Sequence, residues 1–279
     1  MRTYDCKPTL NDTQVLEFCK NGFLMLDGVV PDAVNRRMLD YIEAHPTSEP
    51  TDILLEDWFV QNVITPPAVA GAVRALLGPN FALPNLMSNH RVQCPQPAQQ
   101  WHRDGGSQHS PRLNYLQVFY LPQECTLESG PTELLPGSHF IYSTARHMAH
   151  YGQLRGTYYA AASAGSVFLT VYSVWHRRSA STTTGLRNLL KYNYWRTTAP
   201  ARNWIEEPGF NAKAADYRME KPVMREQFQD CYDSAEMYFW LCGQTESFHL
   251  MGGQGWPIPA STWLDGVYGY PGEPTSLRD

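Results

Sequence analysis

The sequence predicts a mainly β domain of the sandwich or barrel type with helices flanking it. Between about Phe81 and Thr198, short runs rich in β-branched and aromatic residues (LNYLQVFYL, PTELLP, GSVFLTVYSVW, LRNLLKYNYWRT) alternate with clusters of Gly, Pro, Ser and Thr. That is the texture of many short strands separated by turns. The helical signals lie before and after this region, with no strand–helix–strand rhythm, which argues against a Rossmann-like sheet. The 279 residues are 43% hydrophobic and 13% aromatic, enough for one sizeable core, and large β folds reach this length as a single unit.

Taken in order, Asn11 or Asp12 caps a first helix through Val15, Leu16, Phe18 and Cys19, which ends at Asn21-Gly22, because Gly tolerates the left-handed conformation that closes a helix. FLMLDGVV then reads as a short buried strand. A second helix starts after Pro31-Asp32, runs through Val34, Met38, Leu39 and Ile42, and stops before Pro46. A third covers Val69 to Leu77 and ends at Gly78-Pro79. After the β region, Met224, Phe228, Cys231, Ala235, Tyr238 and Cys242 step by 4, 3, 4, 3 and 4, one apolar helical stripe read as packing. The Gly-, Pro- and Trp-rich tail from Gly243 reads as a covering segment, open between a lid and a dimer contact. No internal repeat or long linker divides the chain. We therefore expect a single domain: a helical part over about 1–80, a β core over about 81–200 and a covering segment over about 201–279.

Composition narrows the function. A formal charge of −5 and a pI near 6.0 do not supply the basic footprint of a nucleic-acid binder. The N-terminal stretch MRTYDCKPTLNDTQ has no apolar core of the secretory kind. The longest apolar run, 160–175, is too short and too rich in hydroxyls to span a membrane. Six scattered cysteines form no C-x-x-C pair, so reduced thiols in a cytoplasmic protein are expected.

At positions 101–106 the chain reads WHRDGG. On a strand, residues two apart face one side, so His102 and Asp104 can point together at one ion while Arg103 faces away. Imidazole and carboxylate are two-thirds of the facial triad of non-haem Fe(II), which needs a second histidine. His176 ends the strand-like run GSVFLTVYSVWH and can supply it. Eleven residues later stands Arg187, beyond the polar loop RRSASTTTG, which reads as a hairpin connection between adjacent antiparallel strands, with Arg187 the deeper of the two. Three protein ligands leave three positions on an octahedral iron. A 2-oxo acid fills two of them and dioxygen the third, while the planar guanidinium of Arg187 suits the distal carboxylate. Alone, Arg187 reads equally as a structural arginine paired inside the barrel.

With QQWHRDGG (99–106), SGPTELLPGSH (129–139), VWHRR (174–178), Arg187 and the opening NGFLMLDGVV on the page, the chain resembles the phytanoyl-CoA dioxygenase family of Fe(II)/2-oxoglutarate oxygenases over roughly Asp12 to Thr197. The resemblance implies a double-stranded β-helix (jelly-roll, cupin-like) core flanked by helices. It also implies Fe(II) on His102, Asp104 and His176, 2-oxoglutarate anchored by Arg187, and co-substrate hydrogen bonds from Gln99 and Thr132. The loop SASTTTG departs from the family by lacking an asparagine that many relatives carry. Relatives that halogenate have a small residue in place of the carboxylate, so Asp104 implies hydroxylation or desaturation, with 2-oxoglutarate converted to succinate and CO2.

Other readings stand beside this one. A non-catalytic jelly-roll module, or a cupin-type metal enzyme without 2-oxoglutarate, would share the fold. His147 and His150 in RHMAHYG share a helical face but lack a third ligand, and read as surface or lid. His139 fixes a turn, and His45, His90, His109 and His249 have no evident partner. Arg177 and Arg178 are open between an anionic substrate and solvated loop charges. The expected partner is a small molecule, a natural-product intermediate with apolar character given Trp58, Phe59, Trp101, Tyr115 and Trp195, with no nucleic acid or membrane partner, and with the chain a monomer or homodimer.

Overall fold

The structure is a computed structural model that describes residues 1–104, 112–141, 152–219 and 224–244. Strand β1 (Thr3–Tyr4) precedes helix α1 (Asp12–Asn21), strand β2 (Phe23–Leu26) and helix α2 (Asp32–Ala44). Asn11 caps α1 in a reciprocal capping box with Gln14, and Gly22 closes it in the left-handed conformation, φ 80°, as its sequence predicts. The segment 51–64 is also helical: a 3-10 turn, the short α3 (Asp57–Phe59) and a π turn (Val60–Ile64). Its short, irregular turns have no long 3.6-residue period to betray them in sequence. Helix α4 (Pro67–Leu77) completes the layer, and α5 (Met224–Leu241) packs against α1. Ala235, Tyr238 and Cys242 from the predicted stripe are buried.

The β core comprises β3 (Phe81–Ala82), β4 (Ser88–Asn89), β5 (Val92–Cys94), β6 (Tyr115–Leu121), β7 (Thr132–Leu134), β8 (Tyr158–Tyr159), β9 (Ser166–Val171), β10 (His176–Arg178), β11 (Gly185–Arg187) and β12 (Leu190–Trp195). The main sheet has the order β1-β3-β12-β6-β9-β2, with β4 also on β12. A three-stranded sheet runs β10-β7-β8, and β11 pairs with β5. This is a double-stranded β-helix core with flanking helices. The N-terminal part is not helical alone, since β1 and β2 both enter the main sheet.

Strand alternation decides which side of the main sheet each residue serves. Leu116, Val118 and Tyr120, with Val167, Leu169 and Val171, and with Leu190, Tyr192 and Tyr194, face the helices in one large core. Phe119, Leu121 and Phe168 face the interior with Leu134, Val174 and Leu189, and the Phe119 and Phe168 rings stack at 4.8 Å.

Two sequence runs that look continuous are broken. GSVFLTVYSVWH leaves the main sheet after Val171, turns through Tyr172-Ser173, and His176 opens β10 rather than ending the preceding strand. Trp175 N donates to Ser138 Oγ (2.8 Å), pinning the crossing. LRNLLKYNYWRT splits at Asn188, whose N and Nδ2 donate to Gln123 Oε1 and whose Oδ1 accepts from Asn89 Nδ2.

The expected hairpin between His176 and Arg187 is also corrected: β10 pairs β7, and β11 pairs β5. The loop between them does not turn back on itself because its backbone is taken elsewhere. Ser179 N donates to Pro131 O, Ser181 N to Gln96 O and Thr182 N to Glu128 O.

At Gly22 an added Cβ would meet His139 Nδ1 at 2.4 Å. His139 is fully buried with Nε2 donating to Cys19 O (3.0 Å) and packs against the turn after α1. Gly22→Ala combines that clash with a left-handed backbone that costs any side chain about 1–2 kcal/mol. Urea denaturation is expected to show a loss of about 2 kcal/mol or more, and an unchanged midpoint would contradict it.

Candidate metal centre

His102 and His176 face each other across a single antiparallel bridge, with N–H···O bonds of 3.0 Å in both directions. Directly opposed residues of such a pair project to one side, and the two imidazoles lie 4.5 Å apart between centroids. His102 Nδ1 lies 2.9 Å from Gln100 O, and His176 Nδ1 lies 3.1 Å from Val174 O. A carbonyl only accepts, so each Nδ1 carries the proton and each Nε2 keeps its lone pair. His176 is 3% exposed, and its buried Nε2 has no hydrogen-bond partner among the described residues.

Asp104 completes the group. Its Oδ1 is 3.7 Å from His102 Nε2 and its Oδ2 is 3.5 Å from His176 Nε2. One donor atom from each of the three residues lies within 4.8 Å of the others. Arg103, between them, turns away and donates to Ser138 O and Ile141 O. Gly105-Gly106, like His109, His147, His150, His249 and the tail from 245, lies outside the described residues.

Two residues that the sequence reading passed over hold the carboxylate. Gln117 on β6 donates Nε2 to Asp104 Oδ2 at 2.6 Å, and Lys191 on β12 donates Nζ to the same oxygen. A signal for both was present: Gln117 and Lys191 are polar residues within strand runs rich in aromatic and aliphatic side chains, YLQVFYL and LKYNYW. Burial opposes ionisation of Asp104, but its charged and hydrogen-bonding neighbours, Lys191 among them, outweigh it and hold the carboxyl far below its usual range. His102 is shifted down by burial first and by His176 second, which favours the neutral imidazole that a metal requires.

A cavity of about 60 Å³ joins this cluster to Arg187, Thr132, Gln99 and His90. Arg187 is 4% exposed, sits opposite Val92 in the β11–β5 register and donates Nη2 to Thr132 Oγ1 at 3.5 Å. Its buried Nε has no partner among the described residues. Gln99 lines the same cavity with its Oε1 accepting from Arg178 N (3.1 Å). His90, left without a role by sequence, is on this wall too, its pKa pulled down to about 4 by burial and by Lys191. The sequence-predicted residues are thus brought to one place.

The arginines beside His176 separate. Arg177 points to the outer face of the small sheet, bonded through Nε to buried Glu133 (2.6 Å) and lying over the Trp101 ring, beside a larger cavity of about 770 Å³. Arg178 donates to the carbonyls of Pro97 and Ser179. Neither is a solvated loop charge.

Of the aromatic residues singled out, Phe59 is in the helical core with Trp58 packed against it, and Trp101 is buried under Arg177. Tyr115 and Trp195 are register partners on the inner face, and Tyr115 packs edge-on to Tyr172 at 5.1 Å. His45 stacks on Tyr41. The five described cysteines are free thiols, and among the described residues no helix is long and apolar enough to cross a membrane.

Comparison with known proteins gives the family and the fold. The family model described as phytanoyl-CoA dioxygenase (PhyH) matches residues 47–189, just over half of the chain. No curated protein matches it. Among solved structures, HygX from Streptomyces hygroscopicus with iron bound is similar at 16% identity and a TM-score of 0.56, over 68% of this chain and 89% of that one. HygX has also been solved with nickel and 2-oxoglutarate bound. SnoN, a non-haem α-ketoglutarate-dependent epimerase from nogalamycin biosynthesis, is 16% identical with a TM-score of 0.54, over 67% of this chain and 81% of that one. EctD from S. alaskensis with bound Fe is 17% identical with a TM-score of 0.53, over 70% and 80%.

Proposed function

The chain belongs to the phytanoyl-CoA dioxygenase family of Fe(II)/2-oxoglutarate-dependent oxygenases, and from that premise we propose that it hydroxylates or desaturates a small organic molecule, a natural-product intermediate. The observation that carries the reading is the convergence of His102 Nε2, the Asp104 carboxylate and His176 Nε2, with both imidazoles turned inward by their Nδ1–carbonyl bonds.

The residues fit the groups they would hold. Two neutral imidazoles and one carboxylate are the donor set of the facial triad, and the orphaned Nε2 of buried His176 is what a metal ligand leaves when nothing else claims it. The orphaned Nε of Arg187 beside Thr132 similarly suits the distal carboxylate of 2-oxoglutarate, with Thr132 Oγ1 and Gln99 as further hydrogen-bonding groups. When bound, iron and 2-oxoglutarate supply the oxidising power, using O2 and releasing succinate and CO2, so that no side chain need act as a general base.

The chain's own part is positioning and exclusion of water. Phe119, Phe168 and Leu134 back the cavity with apolar surface, and the reciprocal backbone pair fixes His102 against His176. The Tyr115–Tyr172 pair, with Trp195 opposite Tyr115 in register, offers aromatic surface suited to an apolar or ring-bearing substrate. SnoN, named for nogalamycin biosynthesis, supports a natural-product role, and its epimerase activity shows that one cofactor pair serves more than one outcome.

The test is anaerobic. Metal-free protein given Fe(II) and then 2-oxoglutarate is expected to develop the weak visible charge-transfer band of a bidentate chelate. Arg187→Ala should keep iron but need about 30- to 150-fold more 2-oxoglutarate, the equivalent of the roughly 2–3 kcal/mol carried by hydrogen bonds to a charged group. Iron bound without any band in the wild type would sink the 2-oxoglutarate reading. Turnover of acyl-CoA thioesters and of nothing smaller would sink the substrate reading.

A further inference from the structure

Lys191 places an ammonium on the inner face of the main sheet, two residues from Asn193 on its own strand. It stands opposite Phe119 in register, with Nζ 4.8 Å from that ring centre, and is 9% exposed. Its anionic partner is Asp104, whose Oδ2 accepts from Lys191 and from Gln117. Asp104 is also the carboxylate of the three-residue metal cluster. An ammonium and a divalent ion therefore draw on the same group, and two cations a few ångströms apart in a partly dry site repel strongly. Around the cavity stand the cations Lys191, Arg187, Arg178 and Arg177, with Asp104 the carboxylate bonded to Lys191. Glu133 is engaged by Arg177 on the outer face.

We infer that Lys191 is the built-in counter-ion of Asp104 in the metal centre: it competes with the metal for that carboxylate, and metal loading turns it towards the anionic co-substrate in the cavity it shares with Arg187. This rests on the metal reading above. In the metal-free protein Lys191 compensates the carboxylate and keeps the three ligands together. Once a divalent ion takes Asp104, Lys191 keeps only part of its compensation, and a 2-oxo diacid brings two negative charges, of which Arg187 meets one. Lys191 thus weakens metal binding on its own and strengthens co-substrate binding to the metal-loaded protein. By linkage, the co-substrate tightens the metal by the same factor as the metal tightens the co-substrate.

The test uses Co(II), followed by its visible absorption, with wild type, Lys191→Met and Lys191→Arg. Lys191→Met is expected to bind Co(II) at least about tenfold more tightly than wild type, and to bind 2-oxoglutarate on the Co(II) form at least about tenfold more weakly. Lys191→Arg should stay close to wild type in both. Lys191→Gln, which keeps a donor to Asp104 without the charge, should behave as Lys191→Met and serves if that variant does not fold. A merely structural lysine would not tighten metal binding when removed. Equal or weaker Co(II) binding in the uncharged variants, with wild type binding normally, overturns the inference alone. Wild-type protein that takes up no Co(II) overturns the metal reading and this inference with it.

Discussion

His176→Ala protein is expected to bind Fe(II) more than about 100-fold more weakly than wild type, beyond the 10- to 100-fold that losing an outer-shell partner costs, and to form no chelate band with 2-oxoglutarate. His176 is the most deeply buried of the three ligands, and its ring packs edge-on to Phe119 at 5.6 Å. Its truncation removes one of three donor atoms that lie within 4.8 Å of one another. The bridge to His102 is made by backbone atoms and survives the substitution, so melting should shift modestly while metal binding collapses. Isothermal titration on protein shown to be folded checks this. Wild-type affinity in the variant would remove His176 from the metal site.

The elements that were legible in sequence are those with a long period or an explicit stop signal. Helix α1 lies between its capping box and Gly22, α2 begins at Asp32, and α4 ends at Gly78, each bounded by a residue whose backbone chemistry demands it. The candidate metal cluster was legible because His-x-Asp with a distant His is a donor set with few other uses, and Arg187 stood at a spacing that set it beside them. What sequence could not reveal is where strands change sheet. Val171 to His176 and Arg187 to Leu190 both read as uninterrupted strands, and only the tertiary claims of Ser138, Asn89 and Gln123 on those segments divide them. The hairpin expected between His176 and Arg187 failed for the same reason.

Lys191 and Gln117 show a different limit. Their placement beside Asp104 depends on the β6–β12 register, in which Lys191 meets Phe119 and Asn193 meets Gln117. A one-residue slip would turn both away from the interior. The polarity of the two residues marked them as unusual, but only the register tells which partner they serve.

Asp12→Ala is expected to destabilise the protein by about 3–5 kcal/mol, the range seen when one member of a buried charged pair is removed, while leaving Fe(II) binding intact. Asp12 is fully buried at the start of α1. Its Oδ1 accepts from Arg202 Nε (2.8 Å), Trp204 Nε1 (2.7 Å) and Tyr238 OH (2.8 Å), and its Oδ2 accepts from Arg202 Nη2 (2.5 Å) and Glu207 N (2.7 Å). One carboxylate therefore fastens α1, the 202–207 segment and α5 together. Removing it takes the acceptor from five donor groups on four residues, none of which lines the metal cavity. Burial opposes ionisation of Asp12, but the hydrogen bonds from Arg202, the Glu207 backbone, Trp204 and Tyr238 prevail and its pKa lies below the ordinary value. A carboxyl depressed in the folded state contributes stability above its unfolded pKa and loses it as pH falls through the folded value. Urea midpoints measured from pH 7 down into the acid range should therefore fall for wild type and fall less steeply for Asp12→Ala, which has already lost that contribution. A variant that loses less than about 1 kcal/mol at pH 7, no more than an ordinary surface change, would show that the three segments are held by their apolar contacts and not by this carboxylate.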